Sequence, residues 1–493
     1  MNKNLILLVP VLLPVIAGIA LAFPKIFPER KTRWWFVCAV CAIELVFVFC
    51  AAGGGYELTL ARFNDRLAFV LRPDALSLLF GGLCAIMWLS ASIFSEKYFS
   101  HGKDERMYQC FFLASIGVIV ALCISGNLVT MYMFYEMMTL FMLPLVVWER
   151  TKEAIHAGYS FFFYSIAGAF LGLFGFFLFY SSKISLEFTP GGHITAGMAG
   201  VDRELLLFAC FLGIVGFGSK AGMFPLHGWL PVAHPVAPAP ASALLSGNVT
   251  KMGVLFIIRI IYYIVGADFV RGTWVQNTFL VLTLLTILMG SVIASREQLL
   301  KRRLAYSTVS QVSYVLFGVA LMNPAAMLGA LLHIVFHSVA KNTLFLSAGA
   351  FIHQTGFTKA SELRGIGKRM PITTWMFTLV SLTLVGIPPT SAFLSKWYLA
   401  EGSLTSAIPV FSYLGPAILL ISAVFTAAYL LPISVNGFLL GLLEDSDKKI
   451  FRREKEPLGM VIPMIILATA AVGLGIFPNA LIRFLNSIIT TIL

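Results

Sequence analysis

The sequence predicts an all-α polytopic membrane protein of about fourteen transmembrane helices, some of them broken, on three observations. Hydrophobic residues make up 59% of the 493-residue chain and charged residues only 12%, with a mean hydropathy of +0.89; soluble domains carry about 25% charged residues. Apolar runs long enough to cross a bilayer recur along most of the chain. The basic residues crowd into alternate connections between those runs.

The runs lie near residues 4–24, 34–52, 75–95, 107–124, 127–148, 155–180, 204–223, 240–266, 274–295, 305–322, 325–352, 371–398, 411–440 and 458–476, followed by an amphipathic tail from Phe477 to Leu493. Each is close to the roughly 20 residues that span a hydrocarbon core. The first, Leu5 to Phe23, has the outline of a signal peptide but exceeds a usual h-region, so an uncleaved first helix is expected.

Connections after odd-numbered runs hold most of the basic residues, as in Lys25–Arg33, Lys97–Arg106, Arg296–Arg303, Lys359–Arg369 and Lys448–Lys455. The other side holds only Lys3, Arg62, Arg66, Arg72, Lys183, Arg203, Arg271 and Arg483. The positive-inside rule then places odd connections in the cytoplasm, with both termini outside a multi-pass plasma (inner) membrane protein. The net charge of +12 is thereby explained by topology, and nucleic acid is excluded as a partner for want of a water-soluble basic face.

All seven cysteines lie in or beside apolar stretches, and the lone Cys38-x-x-Cys41 falls inside a span, so ordinary buried thiols are expected. No Gly-rich nucleotide fingerprint or iron–sulfur cysteine spacing occurs. The chain is expected to carry no cofactor or metal and no electrons of its own.

Five basic residues remain inside predicted spans: Lys220, Lys251, Arg259, Lys341 and Lys396. Only Glu44 and Glu136 are embedded acids. A charge at the bilayer centre costs about 2.5–3.5 kcal/mol, so pairing, internal water or deprotonation must offset these. A desolvated lysine beside a movable carboxylate can load and release a proton, whereas arginine cannot. Two runs break near such charges, at Ala221-Gly-Met-Phe-Pro225 after Lys220 and at Gly386-Ile-Pro-Pro389 before Lys396. Paired breaks of this kind point to a transport site and to inverted repeats.

Glu136, flanked by large apolar side chains in Phe134-Tyr-Glu-Met-Met138, is read as a proton-path acid with Lys220 as its partner, against a structural ion pair. Lys251, in the polar patch Asn248-Val-Thr-Lys251, is read as a relay, against a structural ion pair; Arg259, two turns on, is either a snorkelling side chain or a functional one, and its role stays open. His333, His337 and Lys341 fall on one helix face at i, i+4, i+8. Two histidines so spaced can ligate zinc, but the His-Glu-x-x-His pattern is absent, and a stripe of titratable groups suits proton hopping better. Ser310 and Gln311 are read as helix–helix contacts, with the lining of a water wire as the alternative. Near the first break, His227 and His234 serve either an entrance or the scaffold, and the role of Glu44 stays open.

The run Lys220-Ala-Gly-Met-Phe-Pro-Leu-His-Gly-Trp-Leu-Pro-Val-Ala-His-Pro-Val-Ala-Pro, continuing to Lys251, resembles the signature of the antiporter-like family. That family comprises the proton-translocating membrane subunits of complex I, subunits of Mrp sodium/proton antiporters and their membrane-bound hydrogenase counterparts. Tyr135-Glu-Met-Met, the His333-x-x-x-His-x-x-x-Lys helix and Gly386-Ile-Pro-Pro-Thr-Ser-Ala-Phe-Leu-Ser-Lys396 match it as well, so the likeness covers about residues 70–440. The resemblance implies a fourteen-helix core with helices 1–3 over 1–106, two inverted five-helix repeats over 107–266 and 274–440, and a C-terminal helix and tail over 458–493. It also implies that Glu136 pairs with Lys220, that Lys251 relays, that His333, His337 and Lys341 form the central connection, and that Lys396 serves the second half-channel. The lateral helix of the longest members is expected to be absent.

His234-Pro-Val-Ala-Pro-Ala-Pro-Ala-Ser-Ala-Leu244 looks more like hydrogenase-linked and Mrp-like members, the length suits the D-type Mrp protein, and Ser391-Ala392 before Phe393 departs from the frequent glycine. The expected function is a proton-translocating subunit of an Mrp-type cation/proton antiporter, with other membrane subunits, the lipid bilayer, protons and Na+ as partners. The alternative is a pump module of a redox-driven complex, either NADH:quinone oxidoreductase-like or a NiFe hydrogenase; an interaction scaffold with a dead path is a third.

Overall fold

A computed structural model describes residues 3–99, 105–194, 202–438 and 453–493. The basic residues Lys103, Lys448, Lys449 and Arg452 and the end of the predicted run 411–440 lie outside the described residues. Among the described residues, thirteen helices are long and apolar enough to cross a membrane. The fold is all-α save for one hairpin.

After a 3₁₀ turn (Lys3–Leu8), the N-terminal helices are α1 (Val9–Ala22), α2 (Arg30–Ala52) and α3 (Ala75–Tyr98). Then come α4 (Arg106–Cys123), α5 (Leu128–Val146), α6 (Lys152–Ser181), α7 (Arg203–Ala221), α8 (Trp229–Val236) and α9 (Ala239–Leu244). A π-helical segment, Leu245–Val249, leads into α10 (Thr250–Arg259), and a second one, Ile260–Val265, follows it. The chain continues through α11 (Ala267–Val270), α12 (Trp274–Arg296), α13 (Leu300–Leu321), α14 (Pro324–Thr355), α15 (Ile366–Arg369), α16 (Pro371–Val385), α17 (Ser391–Leu404) and α18 (Pro409–Phe438). It closes with α19 (Leu458–Ile476) and α20 (Asn479–Ile492), the amphipathic tail.

Side-chain caps set several starts. Asp74, Asn127, Thr151 and Asn323 each accept a hydrogen bond from the backbone N–H three residues on. The unforeseen hairpin joins α2 to α3, pairing β1 (Leu58–Asn64) with β2 (Leu67–Leu71). Its turn is set by Asn64 Oδ1, which accepts from the N–H of both Arg66 and Leu67 at 2.8 Å.

The bundle has an enclosed centre and a lipid-facing rim. Every residue from Ala239 to Val265 and from Ala326 to Phe351 is buried. The rim helix α6 instead exposes Tyr159, Phe163, Phe170, Phe174 and Phe177. The embedded cations on α10 and α14 therefore sit on the helices farthest from lipid.

Two predicted boundaries change. The run 371–398 is not one span: α16 stops at Gly386, where the Pro388-Pro389 pair supplies no N–H to continue it, and α17 carries the chain on to Leu404. The run 305–322 begins at Leu300, because a backbone bridge between Leu299 and Lys359 fixes where α13 starts. Lys301, assigned by sequence to a cytoplasmic connection, thereby becomes a buried helical residue.

Candidate functional site

The first break ends α7 one residue after Lys220. Gly222 turns left-handed there (φ +80°), and a Cβ at that position would meet Leu230 Cδ1 at 2.3 Å. Ser219 O accepts from the backbone N–H of Gly222 (3.1 Å) and from Trp229 Nε1 on α8 (2.9 Å), so the broken end is satisfied within the bundle.

Lys220 is fully buried, and its Nζ donates to Thr139 Oγ1 (2.9 Å) and Ser165 Oγ (2.6 Å), with the Phe161 ring 4.5 Å away. Glycine brings these groups together: a Cβ on Gly168 would lie 2.4 Å from Gly216 O, so α6 and α7 touch backbone to backbone. The expected direct Glu136–Lys220 ion pair is not formed. Glu136 sits one turn before Thr139 on α5, half-buried, with its Oε1 buried and lacking a hydrogen-bond partner. The hydroxyls of Thr139 and Ser165 take its place because they point into the α5–α6–α7 seam at Lys220.

Lys251 lies just beyond the first π-helical segment. Such a segment frees backbone carbonyls, and Ser246 O accepts from both Lys251 Nζ and Thr250 Oγ1. Gly253, half a turn on, lies against the end of α7: its Cβ would fall 2.5 Å from Phe217 O and 2.7 Å from Ala221 N. Lys251 and Lys220 thus flank one tight helix crossing. On its other side, Ser338 Oγ of α14 donates to Gly247 O at 2.7 Å, joining the π-helical segment to the histidine helix.

On α14 the predicted stripe is buried throughout. Lys341 Nζ donates to Leu304 O at 3.0 Å. Neither ring nitrogen of His337 has a hydrogen-bond partner, and its ring stacks on that of His333 at 5.9 Å between centroids. His333 is held at both nitrogens, by Ser395 Oγ at Nδ1 (2.9 Å) and by Gln311 Oε1 at Nε2 (3.1 Å). Rotating the hydroxyl and flipping the amide would serve either neutral tautomer. Gln311 thus joins α13 to the stripe on α14, and Ser310 joins α13 to α12 through Ser291 (2.8 Å), both helix–helix contacts.

The second break repeats the first with different chemistry. Gly386 is left-handed (φ +89°) at the end of α16, and Lys396 on α17 donates to the freed carbonyls of Leu384 (2.7 Å) and Val385 (3.0 Å). Lys396 Nζ lies 5.2 Å from the Tyr314 ring, which stacks on His333 at 5.4 Å. His333, His337 and Lys341 line α14, the Tyr314 ring stands between His333 and Lys396, and Lys220 and Lys251 flank the α7–α10 crossing. Among the described residues, no carboxylate bonds to any of the six.

Arg259 is not a snorkelling residue. It forms a bidentate pair with Asp74 (2.6 and 2.8 Å) and lies between Phe188 (4.7 Å) and Tyr263 (4.3 Å), tying the central span to the start of α3. Burial pushes the Asp74 carboxyl up, but the Arg259 guanidinium outweighs it and holds the group below its ordinary value. No local signal marks this pair, since Asp74 sits in a connection. Glu44 is completely buried, with both oxygens unpartnered. Two further groups are buried: Lys301, which the basic loop residues around it place in a connection, and His234, which the sequence leaves between an entrance and the scaffold.

A family model described as NADH:quinone oxidoreductase/Mrp antiporter, TM, matches residues 125–426. NADH-quinone oxidoreductase subunit N of Desulforudis audaxviator is 32% identical over 416 residues, covering 81% of this chain and 80% of that protein. The D component of a Na(+)/H(+) antiporter of Bacillus subtilis is 26% identical over 492 residues, covering 96% and 94%. A chain in the structure of the Mrp complex from a Dietzia species superposes with a TM-score of 0.86 at 20% identity over 100% of this chain and 98% of that one.

Proposed function

The chain belongs to the NADH:quinone oxidoreductase/Mrp antiporter transmembrane family, and from that premise we propose that it is the proton-moving subunit of an Mrp-type cation/proton antiporter. One observation carries the reading: Lys220, Lys251, Lys341, His337 and His333 are buried on α7, α10 and α14, with half-buried Lys396 on α17, and no carboxylate is bonded to any of them among the described residues. Groups so placed are expensive to keep permanently charged, which suits protons that come and go. Glu136, near Lys220 yet not bonded to it, supplies a charge whose protonation shifts the lysine's proton affinity.

The near-complete mutual coverage with the Bacillus subtilis antiporter component favours cation exchange as the drive. The basic connections after odd-numbered spans favour a cytoplasmic side there and both termini outside. The matched breaks after Gly222 and Gly386 fit two inverted repeats. Other membrane subunits are the expected partners, by likeness to chains found in multi-subunit assemblies.

A second reading, a pump module driven by redox chemistry elsewhere in a complex, is favoured by the 32% identity to a quinone oxidoreductase protein. Everted vesicles containing the complex, loaded with a pH-sensitive dye, separate the two. Sodium addition should move protons if the first reading holds. Proton movement that needs an electron donor and ignores sodium would replace it with the second.

A further inference from the structure

His234 is fully buried on α8, and neither of its ring nitrogens has a hydrogen-bond partner. An imidazole in the protein interior with both nitrogens idle is a poor structural element, because each orphaned atom has lost its water without replacement. The groups around it are therefore informative. Its ring stacks on Phe345, one turn from Lys341 on α14 (4.7 Å between centroids). Three residues further along the chain, Ala237 O accepts from Lys301 Nζ of α13 at 2.6 Å. Lys341 in turn bonds to Leu304, one turn from Lys301 on that same helix. The charges that act on the ring are those of Lys301, Lys341 and Lys251, from α13, α14 and α10, and no acid is among them.

These residues run from the rim of the bundle to its middle. Lys301 retains 8% exposure at the start of α13, beside the basic connection Arg296–Arg303, whereas Lys341 and Lys251 are at most 1% exposed. The ends of α3 and α14 close the same face, with the Tyr98 ring 5.6 Å from that of His353 and Tyr98 Oη accepting from Ala239 N at 3.4 Å.

We propose that Lys301 and His234 form a proton inlet from the basic face of the bundle to Lys341 and Lys251, an assignment that rests on the proton-moving reading above. Lys301 takes a proton from water at the face and passes it to one ring nitrogen of His234. The imidazole then releases the proton on its other nitrogen to the neutral amine of Lys341 or Lys251. At the face one O–H bond of a hydrated proton breaks as the lysine N–H forms; each later transfer breaks one N–H bond and forms another, and ring rotation resets the tautomer.

The test uses the full chain assembled with its partner subunits in everted vesicles, reading initial proton flux under the drive to which the wild-type complex responds. Lys301→Arg keeps the charge and the bond to Ala237 O but cannot release a proton, since guanidinium pKa values stay above about 12. His234→Gln keeps hydrogen-bonding capacity without titrating. Each should lower flux at least tenfold while partner subunits co-purify as in wild type. Wild-type flux in either variant overturns the inlet, because that residue is then only structural. Lys341→Met serves as the reference: if it retains full flux, the proton-moving reading itself falls, and the inlet with it. Should H234Q fail to assemble, K301R decides alone.

Discussion

Ser395 and His333, 62 residues apart in sequence, meet at 2.9 Å between hydroxyl and Nδ1, and this contact joins the second helix break to the central stripe. Lys396 is the next residue after Ser395, so a change at the break moves the lysine and the histidine's partner together. The hydroxyl also bonds to Ala392 O at 2.9 Å and can alternate between the two acceptors.

Ser395→Ala should therefore slow proton flux in vesicles about tenfold or more, below the 10²–10⁴-fold range for loss of a group that itself transfers the proton. Ser395→Thr, which keeps the hydroxyl, should retain most of it. Thermal stability of the purified complex should change little in either.

At the first break the hydroxyl cradle predicts a charge-conserving failure. Lys220→Arg fills the space between Thr139 and Ser165 with a cation that does not titrate, so flux should be lost although the complex assembles. Initial rates and subunit co-purification, measured on the same membranes, check both halves of the statement.

The Asp74–Arg259 pair makes a prediction about pH. Because the folded carboxyl sits below its ordinary value, its contribution to stability is present above the unfolded pKa of about 3.9 and is lost as pH falls through the folded value. Asp74→Asn should lower thermal stability at pH 7 by an amount on the order of 1–3 kcal/mol, as expected for charged hydrogen bonds left unmade. Melting curves of the two proteins in detergent should converge as pH is lowered below about 4, the wild type losing the advantage.

Gly253→Ala should be poorly tolerated. Its Cβ would press on backbone atoms of Phe217 and Ala221 at 2.5 and 2.7 Å, which cannot rotate away, so α7 and α10 must separate. Overpacking of this sort costs about 1–3 kcal/mol, and the crossing between Lys220 and Lys251 should loosen with it. Lower melting temperature together with reduced flux is the expected pair of readings.

Much of this was legible in the sequence because a bilayer leaves few choices. Apolar length and basic asymmetry expose the spans, and a lysine such as Lys220 or Lys251 stands out inside a run long enough to cross the bilayer. What stayed hidden depends on contacts across helices. Arg259 looked like a snorkelling side chain because its partner Asp74 lies 185 residues away in a connection. Lys301 looked like one more loop cation because the backbone bridge that starts α13 early pairs Leu299 with distant Lys359. Charge and the family resemblance both suggest that Glu136 pairs with Lys220, while the contacts that hold the lysine come from two hydroxyls whose convergence depends on the close approach at Gly168.

Lys251 lies between the crossing at Gly253 and the π-helical segment that Ser338 ties to the histidine helix, and its replacement tests the proposed path most directly. The measurement is proton flux in everted vesicles bearing Lys251→Met, in a complex shown to assemble normally. Flux at background level is the expected result. Wild-type flux through that variant would contradict a path that runs through the buried lysines.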